Sequence, residues 1–368
     1  MLDKNFSPAR QSAFAARYEA QKIAFGPVVF QCVRYAWKRG MLQALSDAGG
    51  AGLSVAELAG GGRWTEYALK VVLESCLSAG VVQLCGGRYV LDKVGYCVLT
   101  DKITQINLDF NHDVCYQGLF DLDRSLDEEQ PLGLKALGDW PTLYQGMSQL
   151  PEPAKSSWFA FDHHYSDTSF PDILPDVFAT APRRLMDIGA NTGKFSCAAL
   201  AYQPDVELHL VDLGRQLEVA DRNLRAAGLR ERARLHAIDL LESATGTTPA
   251  PALEPGMDLI WMSQFLSCFS EPAIASILTR AVAALAPGGQ LLIMDTFWDR
   301  QRYDIAAYCL INTSPYFTAM ASGNSKIYES VDYIRLAEAA GLRLLTVRDG
   351  IGYCHSLLRF ARAGDGHV

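Results

Sequence analysis

The chain has 368 residues, 49% of them hydrophobic and 20% charged, which describes a soluble globular protein with room for two domains. Its net charge of −8 argues against a nucleic-acid substrate, whose phosphates require basic surface. No apolar run approaches a membrane-spanning length, and the opening Met1-Leu-Asp-Lys-Asn-Phe-Ser-Pro8 lacks the basic and apolar regions of a signal peptide, so a cytoplasmic protein without a membrane partner is expected. The nine cysteines are scattered singly from Cys32 to Cys354 with no C-x-x-C pair, a pattern of reduced thiols and not of disulfides or a metal site.

From about Ser12 to Asp47 the apolar residues recur at mixed helical spacings. Ser54-Val-Ala-Glu57 is a capping box that opens a helix, and Thr65 to Gly80 is a second helix closed by glycine. Val81 to Leu84, the Gly86-Gly87 turn and Arg88 to Leu91 then read as a hairpin, which completes a winged helix-turn-helix. Such a module suggests a transcription regulator. Its basic residues Arg63, Lys70, Arg88 and Lys93 are offset by Glu57, Glu66, Glu74 and Asp92, leaving no positive field to hold a duplex.

Residues 101–182 carry helical pieces broken by Pro131, Pro141, Pro151 and Pro153, with an acidic, solvated bend from Asp123 to Glu129. Two patches there hold titratable groups. Asn107 to Gln117 is expected to set His112 and Tyr116 on one helical face, and Phe159-Ala-Phe-Asp-His163-His164-Tyr165-Ser-Asp167 is rich in hydrogen-bonding side chains.

Arg184 to Ile188 reads as a buried strand that breaks at Gly189-Ala-Asn191-Thr-Gly193 into a helix, with Asp187 near the strand end. Val206 to Val211 is the next strand and again ends on a carboxylate, Asp212. A third strand is expected to end near His236-Ala-Ile-Asp239-Leu240, and a fourth covers Asp258 to Gln264. Ala284 to Asp295 is a helix end stopped at Pro287 and Gly288, followed by a fifth strand. Strand and helix alternate throughout, which implies an α/β doubly wound parallel sheet with its ligand at the carboxyl edge.

Three ligands compete for a glycine turn after a strand. A nucleoside triphosphate needs a longer loop closed by Gly-Lys-Ser/Thr, whereas Lys194 here is followed by Phe195. A dinucleotide needs a first glycine pair, but Ala190 and Asn191 fill the turn, and Asp187 would repel a pyrophosphate. S-adenosylmethionine has no phosphate, a cationic amine and two ribose hydroxyls, so acidic strand ends suit it. Its amine would sit near Asp187, its ribose on Asp212, and its adenine amino group on Asp239 with Leu240 packed on the ring.

The ordered set Met186-Asp-Ile-Gly-Ala-Asn-Thr-Gly193, Val211-Asp-Leu213, Asp239-Leu240 and Pro287-Gly-Gly289 resembles the class I S-adenosylmethionine-dependent methyltransferases. Within them the chain is similar to the small-molecule O-methyltransferases that carry an N-terminal winged-helix dimerisation domain. The resemblance implies a winged-helix dimerisation domain over 1–100, a helical linker lining the acceptor pocket over 101–182, and a seven-stranded, Rossmann-like cofactor domain over 183–368. It also implies a homodimer whose N-terminal domain closes one wall of the partner's pocket. Cofactor contacts are expected from Asp187, Gly189, Asn191, Gly193, Asp212, Leu213, Asp239, Leu240, Ser263, Gln264 and Phe269. Acceptor contacts are expected from Tyr116, Tyr165, Ser267, Tyr308 and Asn312.

The chain departs from that family at one decisive place. The family's base is a histidine in a Leu-His-Asp-Trp loop after the fourth strand; the matching run here is Phe265-Leu-Ser267-Cys-Phe269, and a lone serine is no general base. The acid that orients the family's histidine is kept as Asp295, while Ile327 replaces a second one. Either the base has moved, to His163, His164 or His112, or the reaction dispenses with it, as methylation of a ring carbon ortho to a phenol does. A scaffold that binds the cofactor without catalysis is the competing class. The segments around His112, His164 and Ser267 are also similar to methyltransferases of aryl-polyene and resorcinol-type pigment pathways.

Overall fold

The computed structural model describes residues 12–166, 169–241 and 251–365. The chain divides into two units between His112 and Asp113.

In the first unit the helix Ala13–Lys38 starts at Ser12, whose hydroxyl accepts the Ala15 N–H. The helical stretch expected to run on to Asp47 is interrupted: Gly40 takes a left-handed φ of 81° and a second helix, Met41–Ala48, begins there. The capping box closes as expected, with the Ser54 N–H donating to Glu57 and the Glu57 N–H to Ser54 Oγ. That carboxylate also meets Arg88, and these bonds lower its pKa to about 2. Thr65 caps the helix Glu66–Ser78, and β1 (Val82–Cys85) pairs antiparallel with β2 (Arg88–Leu91) across Gly86-Gly87. The core gathers Leu42, Leu45, Leu69, Leu73 and Cys76, all without exposed surface.

The second unit is built on a sheet of seven strands: β3 (Arg184–Ile188), β4 (Glu207–Asp212), β5 (Ala233–Ala237), β6 (Met257–Ser263), β7 (Leu285–Thr296), β8 (Leu342–Ile351) and β9 (His355–Arg362), in the order β5-β4-β3-β6-β7-β9-β8. Strands β3 to β7 are parallel and β9 runs antiparallel to both its neighbours. The central strands read as continuous apolar runs because helices cover both faces. The reversal of strand order falls at β3, so the edge where β3, β4 and β6 end is the topological switch point.

Two element boundaries differ from expectation. The helix Glu271–Ala284 stops before Pro287-Gly288-Gly289, which instead forms an irregular stretch within β7: Met257 pairs with Leu285 but Leu259 already pairs with Gln290. β5 ends at Ala237, so Asp239 and Leu240 lie in the loop that follows it. Among the described residues no helix is long and apolar enough to cross a membrane, and none of the nine cysteines forms a disulfide.

Candidate active site

The turn after β3 is held by its neighbour strand: the Gly189 N–H donates to the Val211 carbonyl at 2.9 Å, and Gly193 N–H closes back on Ala190 at 2.8 Å. Gly189 has a φ of 79°, and a Cβ on it would lie 2.3 Å from the Phe265 ring, so only glycine fits between β3 and the loop after β6. Asn191, also left-handed at φ 49°, donates its N–H to one oxygen of Asp212 at 2.7 Å, and the Leu213 N–H takes the other oxygen at 2.7 Å. Each oxygen keeps a lone pair for another donor, and two adjacent ribose hydroxyls are donors of that geometry.

Asp187 is buried, and the Ser196 hydroxyl donates to it at 2.6 Å from the first turn of the helix Lys194–Tyr202. Burial raises its pKa to about 7, against the Ser196 bond; the nearby Asp212 charge adds to the rise. Burial raises that of Asp212 as well. Two carboxylates at one strand edge, Asp187 buried and Asp212 half-buried, suit a cation, and a site whose pKa values are displaced is a candidate for chemistry. A cavity of about 400 Å³ opens beside them, lined by Asn191, Thr192, Leu213, Tyr144 and Phe159.

The remaining predicted cofactor residues gather on the same edge. Ser263 ends β6; Gln264 turns left-handed at φ 48° with its N–H on the Met294 carbonyl. Phe269 packs edge-on against Phe265, 4.8 Å between centroids, and its carbonyl accepts the Tyr328 hydroxyl. Leu240 is buried, and Asp239 takes the Leu241 N–H.

A second polar cluster is organised around Asp295, near the end of β7 and 1% exposed. It accepts from the Thr296 N–H at 2.8 Å, the Tyr333 hydroxyl at 2.9 Å, and the backbone and side chain of Ser267. Burial raises its pKa to about 6 in spite of these donors. Asp295 therefore holds Ser267 in place, and its lone pairs are spent on the protein. One residue on, Cys268 faces Tyr144, whose hydroxyl is buried; desolvation pushes the thiol up to about 12. Sequence reasoning misses Tyr144, Cys268, Ser196, Phe265 and Tyr333, because a tyrosine or serine at helical spacing carries no mark of a site.

The histidine candidates separate. On the helix Ala154–Ser166, His163 stacks on Phe159 at 5.6 Å with its Nδ1 3.9 Å from Asp162. His164 stacks on Tyr353 at 4.9 Å, in the turn between β8 and β9, and its buried Nε2 has no hydrogen-bond partner among the described residues. Tyr165 leans on Phe161. The α-helix ends at Phe110 and residues Asn111–Cys115 make a π-turn, with His112 half-buried on it and Tyr116 half-buried next to it. His112 belongs to the first unit and Tyr116 to the second. Tyr308 and Asn312 lie on the exposed side of the helix Asp304–Tyr316, Asn312 donating to the Tyr308 carbonyl, while Tyr316 and Phe317 take the buried side. His209 is structural, sharing a 3.0 Å contact with His236 and one of 3.1 Å with Glu207.

The sheet order, the glycine turn between two acidic strand ends and the adjoining cavity define a class I methyltransferase domain, with S-adenosylmethionine as its cofactor. Residues 186–291 match the Methyltransferase domain family and residues 17–89 the Dimerisation2-like domain. The protein is an S-adenosylmethionine-dependent methyltransferase with a dimerisation-like domain N-terminal to its methyltransferase domain. It is similar to the L-tyrosine C(3)-methyltransferase of Streptomyces lavendulae, 21% identical over 87% of this chain and 85% of that protein. Its fold is similar to the crystal structure of the S-adenosylmethionine-dependent methyltransferase SibL, with a TM-score of 0.67 at 23% identity over 93% of this chain and 98% of that one. It is also similar to an O-methyltransferase from neocarzinostatin biosynthesis solved with S-adenosylmethionine and a hydroxylated naphthoic acid, with a TM-score of 0.63 at 18% identity over 90% and 95% of the two chains.

Proposed function

We propose that the protein methylates a small phenolic aromatic acceptor of secondary metabolism, at oxygen or at a ring carbon beside the phenol, and that it does so as a homodimer. What supports this reading most is the pair of strand-end carboxylates beside an unusual loop: Ser196 bonds Asp187, Asn191 bonds Asp212, and Ser267, where the resemblance expects a histidine, is bonded to Asp295. The relative from Streptomyces lavendulae, a tyrosine C(3)-methyltransferase by name, supports a ring carbon as one target.

The bound cofactor supplies an electrophilic methyl group on a sulfonium. Asp187 faces the end that carries a cationic amine, Asp212 receives the ribose, and Asn191 and Leu213 orient Asp212 through their N–H groups. Leu240 and Phe269 bracket the adenine, with Asp239 at its edge. Holding acceptor and donor in line supplies on the order of 7–11 kcal/mol toward the barrier. His163, His164 and Tyr165 belong to the acceptor side in this reading, and the N-terminal unit closes the pocket of a second copy.

Incubation with methyl-labelled S-adenosylmethionine and a panel of phenols, with mass and carbon chemical shift of the product, tests it. Labelled product identifies the acceptor and the atom methylated. Cofactor binding without turnover on any phenol leaves the binding scaffold as the function.

A further inference from the structure

The cavity of about 400 Å³ beside the glycine turn has an aromatic wall that the two carboxylates do not account for: Trp140, Tyr144 and Phe159 line it together with Asn191, Thr192 and Leu213. Each of the three rings is held by the fold. A Cβ on Gly146 would lie 2.1 Å from the Trp140 ring and one on Gly138 2.2 Å from it, so two glycines let the backbone close on the indole. Tyr144 belongs to the short helix Leu143–Gly146, and its carbonyl accepts Gln216 Nε2 at 3.4 Å from the helix Gly214–Ala226 that follows Asp212. Its hydroxyl is buried beside the Cys268 thiol. Phe159 meets Trp158 edge-on at 5.2 Å and His163 stacked at 5.6 Å. Rings held in this way have little freedom left to lose when a ligand arrives.

In the donor placement proposed above, on which the inference rests, the amine end lies at Asp187 and the ribose at Asp212. The sulfonium joins those two ends, so it passes the turn residues between them, Asn191 and Thr192, which share the cavity with the three rings. Leu240 and Phe269, the adenine bracket, are not part of that lining. Among the described residues that line the cavity there is no Asp or Glu, and its one charged side chain, Arg215, is exposed to solvent. A cation entering here meets aromatic carbon, and the face of an aromatic ring is the negative end of its quadrupole. We infer that Trp140, Tyr144 and Phe159 form a recognition wall for the donor's sulfonium charge, through which the protein distinguishes S-adenosylmethionine from its demethylated product by cation–π attraction. Methyl transfer leaves the electron pair of the broken carbon–sulfur bond on sulfur and so removes its positive charge. The product then lacks the attraction that held the donor, which favours its release.

Calorimetry on the full chain tests this with two probes, S-adenosylmethionine and S-adenosylhomocysteine, which share the amine and the ribose and differ in the charge on sulfur. Phe159→Leu and Tyr144→Leu should each lower the affinity for S-adenosylmethionine about fivefold to tenfold and leave that for S-adenosylhomocysteine within about twofold of wild type. Tyr144→Phe, which restores the ring without the hydroxyl, should recover what Tyr144→Leu loses. The quantity read is the ratio of the two affinities on each variant, so a partly unfolded preparation, which weakens both probes alike, does not imitate the result. Equal losses for both probes in the leucine variants would overturn the wall, and so would no loss for either. Asp212→Ala should weaken both probes together, because both carry the ribose. Unaltered binding of both probes by Asp212→Ala would overturn the donor placement, and the wall with it.

Discussion

Asp187 carries a linkage between pH, stability and donor binding. Its carboxyl is raised from an ordinary 3.8 to about 7 by burial, so in the free protein it contributes stability below about pH 4 that is lost as pH rises through about 7. A cationic amine bound beside it reverses the preference, since the ion pair needs the carboxylate. The donor's α-amine itself stays protonated to about pH 7.7. Affinity for S-adenosylmethionine should therefore rise roughly tenfold between about pH 5.5 and 7, and Asp187→Asn should bind weakly with no such slope. Calorimetric titrations across that range decide it, and a pH-independent wild type would remove Asp187 from contact with the amine. Gly189 gives a second residue-scale prediction. An added Cβ meets the Phe265 ring at 2.3 Å in a backbone conformation that alanine disfavours, so Gly189→Ala should cost about 1–3 kcal/mol in stability and remove measurable donor binding. A fully binding Gly189→Ala protein would show that the loop after β6 yields.

At the scale of elements, the parallel sheet and its glycine turn are legible in the sequence because their chemistry is local. Asp187, Gly189, Gly193 and Asp212 are fixed by strand ends and turn geometry that a few neighbouring residues encode. The acceptor side is not legible, because it is assembled by pairings far apart in the chain: Trp158 with Tyr316, Ser157 with Asp113 at 2.6 Å, Asp295 with Tyr333. The segment 101–182, read as helical pieces between prolines, hides a backbone-to-backbone contact. Gly118 and Gly133 lie in two 3-10 turns packed so closely that a Cβ on Gly133 would sit 2.2 Å from the Gly118 carbonyl oxygen, and one on Gly118 would collide with the Met320 sulfur. No periodicity reports such a contact, since glycine there reads as an ordinary turn. Gly133→Ala should destabilise the second unit by about 1–3 kcal/mol through overpacking, seen as a fall of several degrees in its melting transition. An unchanged transition would mean that the two turns can separate at no cost.

For the whole molecule, oligomeric state follows from a surface that the isolated chain leaves open. Along the helix Ala13–Lys38, Phe14, Tyr18, Phe25, Val28 and Tyr35 fall at steps of four, seven, three and seven residues, a stripe with the spacing of about 3.5 residues that mates helices. All five are exposed, Phe14 at 82% and Phe25 at 59%. An apolar stripe of that length in water calls for a cover, and the match of residues 17–89 to a dimerisation domain makes a second copy the expected one. The buried residues this helix gives to the core are Val33 and Ala36, neither of them a stripe residue, so Phe25 and Val28 can be charged without replacing a core side chain. Light scattering should accordingly return a dimer for the native chain. The double substitution Phe25→Asp with Val28→Asp should give a monomer with unaltered circular dichroism, because two carboxylates buried at a symmetric interface meet their own copies and cost several kcal/mol together. A native chain that scatters as a monomer at micromolar concentration would show that the stripe is not a dimer interface.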